Sequence, residues 1–169
     1  RRWPLARRPA RSIHERPEVP PGAVVVHNER GKPLGVALWS PASEIALRLL
    51  DTDPDAALDL PWWRDRLAKA IARRAAIGND ANAYRLVHGE ADMCPSLICD
   101  QYDRWLVVQL MSAGIEQFRQ EIVTALTELT EPLGILARND VPLRAKEGLT
   151  TTVELLAGDP AAALELGRA

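Results

Sequence analysis

Residues able to do covalent or metal chemistry fall together in one stretch of this chain. His88, Cys94 and Cys99 lie among Glu90, Asp92 and Asp100. A cysteine thiolate can attack an electron-poor centre, and thiolates with imidazole hold zinc. The spacing supports neither use. The cysteines stand as C-x4-C rather than C-x-x-C, and no fourth ligand lies near His88. The reading adopted is two buried thiols beside a hairpin, with no metal site. Glu90, Asp92, Asp100 and Asp140 form a possible carboxylate cluster, but they sit at strand ends and turns. Arg85, Arg138 and Arg144 are available to pair with them. Such acids cap backbone donors or pair with arginine more often than they catalyse. No Ser-His-Asp order, phosphate loop or HExxH is present. No catalytic residue is assigned.

A nucleotide-like cofactor needs a close backbone approach, usually at a glycine-rich turn after a strand. The ten glycines include no G-x-G pair. No alternating strand–helix series long enough for a doubly wound sheet is visible either. No cofactor-binding residue is assigned.

The remaining chemistry is charge. The chain has 169 residues, 47% apolar and 26% charged, which describes a globular protein with a real core. No apolar run approaches the ~20 residues that span a membrane. The first residues lack the apolar stretch of a secretory signal, which points to the cytoplasm. The net charge of −2 hides an asymmetry: residues 1–16 hold six arginines against the single acid Glu15, a local +5. Such an arm suits a polyanion partner. A solvated terminal segment is the competing reading.

Elements that could position these groups follow from periodicity. Val24–Val26, Leu34–Leu38 and Ile45–Leu49 read as three short strands, with a polar turn at Asn28–Pro33 and a break at Ser40-Pro41. Curling such strands into a small barrel removes exposed edges. Residues 61–77 read as a helix, with Asp59 as cap, Pro61 in its first turn and Gly78 at its stop. Its apolar face is Trp63, Leu67, Ala70 and Ile71. Arg66, Lys69 and Arg73 form a basic face, read as solvated in preference to phosphate-binding. Strands are expected at 84–88, 97–100 and 105–111. A helix capped by Ser112 follows over 115–130, then strands at 134–138 and 152–156. Leu164–Leu166 is a further strand start. The fold class is α+β, with helix packed on sheet.

The segment Arg85 to Tyr102, RLVHGEADMCPSLICDQY, resembles R-L-[VI]-[HN]-[GA]-E-[SA]-D-x-L-P-G-L-[IV]-V-D-x-Y of PUA-containing, S-adenosylmethionine-dependent ribosomal RNA large-subunit cytosine-5 methyltransferases. Trp39-Ser40-Pro41-Ala42-Ser43-Glu44-Ile45, Arg138-Asn139-Asp140 and Glu147-Gly148-Leu149 match that family in order and spacing. The resemblance covers most of residues 22–160. It implies a PUA-like β-barrel over 1–56, a connecting helix and linker over 57–82, and a central strand-strand-helix-strand-strand module over 83–169. The family's catalytic domain, with its nucleophilic cysteine and its S-adenosylmethionine, is expected to lie outside this chain. The partners the resemblance implies are RNA, ribosomal RNA above all, and the missing methyltransferase domain; a homodimer stays open. The RNA-binding residues it suggests are Arg7, Arg8, Arg11, Lys32 and Arg48. Trp39 is a further candidate that could stack a base, although packing in the core is the preferred reading of its ring. Three departures stand out. Met93-Cys94-Pro95-Ser96 lacks the usual turn glycine, Trp3-Pro4 is all that resembles the family's G-H-P-W start, and the catalytic domain is missing. They leave a second reading open, a structural or protein-interaction module without RNA or methyltransferase activity.

Overall fold

A computed structural model of the chain describes residues 18–76 and 81–162. Arg7, Arg8, Arg11, Trp3-Pro4, Gly78 and the Leu164–Leu166 strand start lie outside the described residues. The first sheet is antiparallel in the order β1 (Gly22–His27), β2 (Pro33–Trp39), β3 (Leu47–Asp51). The Asn28 side chain builds the β1–β2 turn by accepting the N–H groups of Arg30 (3.0 Å) and Lys32 (2.9 Å). Alternation sends Val36, Leu38 and Leu50 inward, fully buried.

Helix α1 (Leu60–Ala72) begins where the sequence places it. Asp59 accepts the Trp62 N–H at 3.1 Å, and Pro61 sits in the first turn. The helix is shorter than its apolar pattern suggests. Trp63, Leu67 and Ala70 are buried, whereas Ile71 is only partly covered. The second sheet runs in the order β4 (Ala83–His88), β5 (Leu97–Tyr102), β6 (Trp105–Leu110), β7 (Gly134–Asn139), β8 (Thr152–Gly158). All neighbours are antiparallel except β6 and β7, which are parallel. A parallel pair needs a crossover, and helices α2 (Ala113–Glu116) and α3 (Arg119–Thr130) supply it.

The single helix expected over 115–130 is therefore two. The break at Gln117–Phe118 turns Phe118 into the core against Trp63, at a ring separation of 5.5 Å. Ser112 stands at the cap position of α2 but makes no capping bond. A short helix, α4 (Pro142–Lys146), joins β7 to β8 and has no periodic signal in the sequence.

One continuous cluster of buried side chains joins the two sheets. Val36, Leu38 and Leu50 from the first meet Trp63 and Leu67 of α1, with Leu86, Leu106, Ile122, Leu126 and Ile135 beyond them. Among the described residues no helix is long and apolar enough to cross a membrane. Leu67 is fully buried on the face between α1 and the rest of this cluster. Leu67→Ala should lower the unfolding free energy by about 2–5 kcal/mol in chemical denaturation. An unchanged midpoint would show that this face is not a packed one.

Candidate functional site

The signature acids hold the fold together. Asp92 is 3% exposed and accepts four bonds: two from Arg74 (2.6 Å each), one from Arg73 (2.8 Å) and one from the His88 backbone N–H (2.7 Å). The H-G-E-x-D portion of the motif is thus a turn whose carboxylate clamps the C-terminal end of α1. Burial raises the Asp92 pKa, but hydrogen bonds from Arg74, His88 and Arg73 outweigh it and hold the carboxyl below its ordinary value. Asp100 takes a two-pronged pair from Arg85 (2.8 and 3.1 Å), and Asp140 takes one from Arg138 (3.1 Å twice). Among the described residues no three His, Cys, Asp or Glu side chains gather as a metal site. Both cysteines are fully buried. Burial pushes the Cys94 thiol up to about 12 and raises Cys99 as well, so neither is a ready nucleophile.

The basic face of α1 is a correction to its reading as a solvated stripe. Arg66 lies 4.5 Å over the Trp62 ring, donates to the Leu50 carbonyl (3.0 Å) and approaches Asp51 (3.7 Å). Trp62 donates its indole N–H to the same Asp51 (2.9 Å). Arg73 serves Asp92, and only Lys69 keeps to its own helix, pairing with Asp65. This face ties α1 to β3 and to the β4–β5 turn.

The Arg138-Asn139-Asp140 and Glu147-Gly148-Leu149 motifs also hold backbone. Asn139 accepts the Leu110 N–H (2.9 Å). Arg144, between the motifs and 1% exposed, donates to the Leu110 carbonyl, to Glu116 (2.8 Å) and to the Thr150 carbonyl (3.0 Å). Glu147 accepts the Ala113 N–H (3.2 Å), and Ser40 from the other sheet accepts the Gly114 N–H (3.0 Å). These bonds occupy the first N–H groups of α2. A Cβ on Gly114 would lie 2.9 Å from both the Leu38 Cβ and the Trp39 carbonyl oxygen, so the first sheet is pressed onto this turn. The turn after β6 opens the one parallel crossover of the described sheet, where a doubly wound domain would cradle a nucleotide-like cofactor. Here its donors and its space are taken, and the residues do not fit such a group.

The sequence-selected RNA contacts do not converge. Lys32 is exposed in the β1–β2 turn. Arg48 pairs across β2 with Leu38, so the two cations lie on the order of 20 Å apart along the strand. The Arg48 side chain is 12% exposed, donates to the Ile45 carbonyl (2.8 Å), and has Glu90 and Glu147 at 3.9 and 4.0 Å. Trp39 is 5% exposed, with its indole N–H on the Val19 carbonyl (3.0 Å). Its ring is packed, and a base cannot stack on it while the sheet is intact. Arg30 is the cation that sequence reasoning missed. It shares the turn with Lys32, and among the described residues neither has an ion pair within 4.0 Å. Their positions on either side of Gly31 were the available signal.

Comparison with known proteins gives these features a context. A family described as a PUA-like domain matches residues 10–52. Ribosomal RNA large subunit methyltransferase I from Tolumonas auensis is 38% identical over 138 residues, covering 80% of this chain and 35% of that protein. The protein of the same name from Erwinia tasmaniensis is 37% identical over 142 residues, covering 82% and 36%. The chain is homologous to these proteins but spans about a third of the length of the curated relatives it matches. A Streptococcus mutans structure described as a SAM-dependent methyltransferase superposes with a TM-score of 0.70 at 17% identity, over 84% of this chain and 36% of that one. A second, described as a methyltransferase complexed with SAH, gives 0.64 at 18% identity, over 72% and 32%. At these identities the two structures show a shared fold.

The Asp92 clamp makes a signed pH prediction. Because the native carboxyl is held below its ordinary value, its stabilisation is complete above that value and is lost as pH falls through the native one. Asp92→Asn should cost about 3–5 kcal/mol at neutral pH, since it strands the buried Arg74 charge. The gap to the parent chain should close under acid conditions, as followed by denaturant titration across pH. A gap that stays constant with pH would contradict the clamp.

Proposed function

We propose that this chain is the RNA-binding, substrate-positioning region of a bacterial, cytoplasmic, S-adenosylmethionine-dependent ribosomal RNA methyltransferase acting at cytosine C5. The observation that carries this reading is the alignment itself. Most of this chain aligns with about a third of the large-subunit methyltransferases; its residues 10–52 match a PUA-like family, and its two sheets share one core. In this chain most cations are engaged in internal pairs; of the described cations without one, Arg30 and Lys32 share the β1–β2 turn as an outward-facing positive tip, and Arg104 and Lys146 stand singly elsewhere. The arginines of residues 1–16 add positive charge to the chain's N-terminal segment. Folded RNA is met by shape and backbone contact, and a small rigid sheet with a basic tip suits that task. The shared core then fixes where the central module lies relative to the bound RNA.

In this reading S-adenosylmethionine and the nucleophilic cysteine belong to the part of the longer protein that this chain does not align with. The occupied turn after β6 supports that division of labour. Arg48 acts as a tie between β3 and the Glu90 and Glu147 carboxylates rather than as a phosphate contact. The same engagement of cations also favours a second reading, a protein-interaction module without RNA affinity.

Filter binding to a ribosomal RNA fragment separates the two. Three or four phosphate contacts predict a log–log salt slope of about −2 to −3, or roughly a 20- to 50-fold loss between ~50 and ~200 mM salt. Charge reversal of Arg7, Arg8 and Arg11, or of Lys32, should weaken all RNAs alike, because phosphate contacts carry little sequence information. Retention that is absent or indifferent to salt favours the interaction module. Calorimetry with S-adenosylmethionine should show no binding to this chain, and micromolar affinity would refute the placement of the cofactor elsewhere.

A further inference from the structure

The five-stranded sheet has one face covered by α1 and α3, and the register defines what the other face presents. Ala83, Tyr102, Trp105 and Gly134 form one row across β4 to β7, and Arg85, Asp100 and Val107 lie in the next. At the β4–β5 edge this face holds an open depression of about 350 Å³ lined by Ala83, Tyr84, Arg85, Asp100 and Tyr102. We propose that this depression is a stacking site for one unpaired nucleobase of RNA, with Tyr102 as its platform and the Arg85–Asp100 pair reading the base edge. The proposal rests on the RNA-binding reading above and gives it a second contact point, on the central module rather than on the PUA-like sheet.

The chemistry selects a base over a phosphate or a protein. Tyr102 is 48% exposed, so one face of its ring is available to a planar ligand. Its cross-strand neighbour Trp105 is buried with its ring on Gly134, where a Cβ would come within 2.3 Å of it. The position across the strand from Tyr102 is therefore filled by a closely packed side chain. Arg85 and Asp100 hold each other in a planar, two-pronged pair, partly in solvent. The pair is neutral overall, and the carboxylate would repel a phosphate. The outer guanidinium nitrogen already faces His88 Nδ1 at 3.4 Å; its remaining N–H and the unused lone pairs on the carboxylate are the mixture that a base edge matches. Arg104 follows Tyr102 in the β5–β6 turn and is exposed. This cation can meet the backbone beside a stacked base, whereas Arg138 on the same face is already held by Asp140. Of the apolar residues of this face, Leu136 and Leu155 lie on β7 and β8, away from the depression, while Val107 and Trp105 stand beside Asp100 and Tyr102.

The test uses the 169-residue chain with an RNA stem–loop and a blunt duplex of the same stem, by filter binding at low salt. Tyr102→Ala should weaken the stem–loop by roughly 5- to 150-fold, the loss of one stacked base, and change the duplex by about twofold or less. Tyr102→Phe keeps the ring and should bind as the parent does. A photoreactive thiouridine in the loop should cross-link to the Leu97–Tyr102 strand. Parental stem–loop affinity in Tyr102→Ala, with salt-dependent binding intact, overturns the base site and leaves the RNA reading standing. Failure of the parent chain to retain either RNA overturns both.

Discussion

The N-terminal end of α2 is the point on which the rest of this structure depends. The helix has only four residues, begins inside the protein, and brings N–H groups that water cannot reach. They are satisfied from both sides: Ser40 of the first sheet takes Gly114, and Glu147 beyond α4 takes Ala113. Leaving such a buried donor unpaired costs about 1–3 kcal/mol, so neither sheet can shift without a penalty at this turn. Arg144 and Asn139 complete the arrangement by holding both backbone groups of Leu110, at the end of the strand that leads into it.

This constraint links the fold to the proposed function. On that proposal, a module that positions RNA for chemistry elsewhere must hold a fixed angle between its binding surfaces. Here the angle between the three-stranded and five-stranded sheets is set by a common apolar core, by the Asp92 clamp, and by the bonds around α2. Each ties together residues far apart in the chain. The motifs that resemble the methyltransferase pattern are largely these ties rather than catalytic groups, which accounts for acids and arginines whose sequence pattern looks like chemistry.

Much of the fold was legible in the sequence because it rests on local periodicity. The alternation of Leu106, Val108 and Leu110, and the Asp59-Leu60-Pro61 start of α1, each have a nearby cause. What was not legible depends on distant partners. The division of the 115–130 helix follows from Phe118 packing on Trp63, which belongs to a remote part of the chain. Helix α4 is held by Arg144 reaching Leu110 and Glu116, and five residues give no periodic pattern. Arg48 and Trp39 look like RNA contacts in sequence because nothing local shows that Glu90, Glu147 and Val19 will close over them. Arg30 and Tyr102 stand out only once the cations with partners and the uncovered sheet face are known.

Backbone hydrogen exchange of the chain with and without a ribosomal RNA fragment tests the central claim most directly. A rigid two-sheet body that carries RNA on its edges predicts slowed exchange in the Asn28–Lys32 turn and in the β5–β6 hairpin. Exchange in α1 and in the turn after β6 should stay unchanged. Uniform protection across α1 and both sheets, or no protection anywhere, would contradict it.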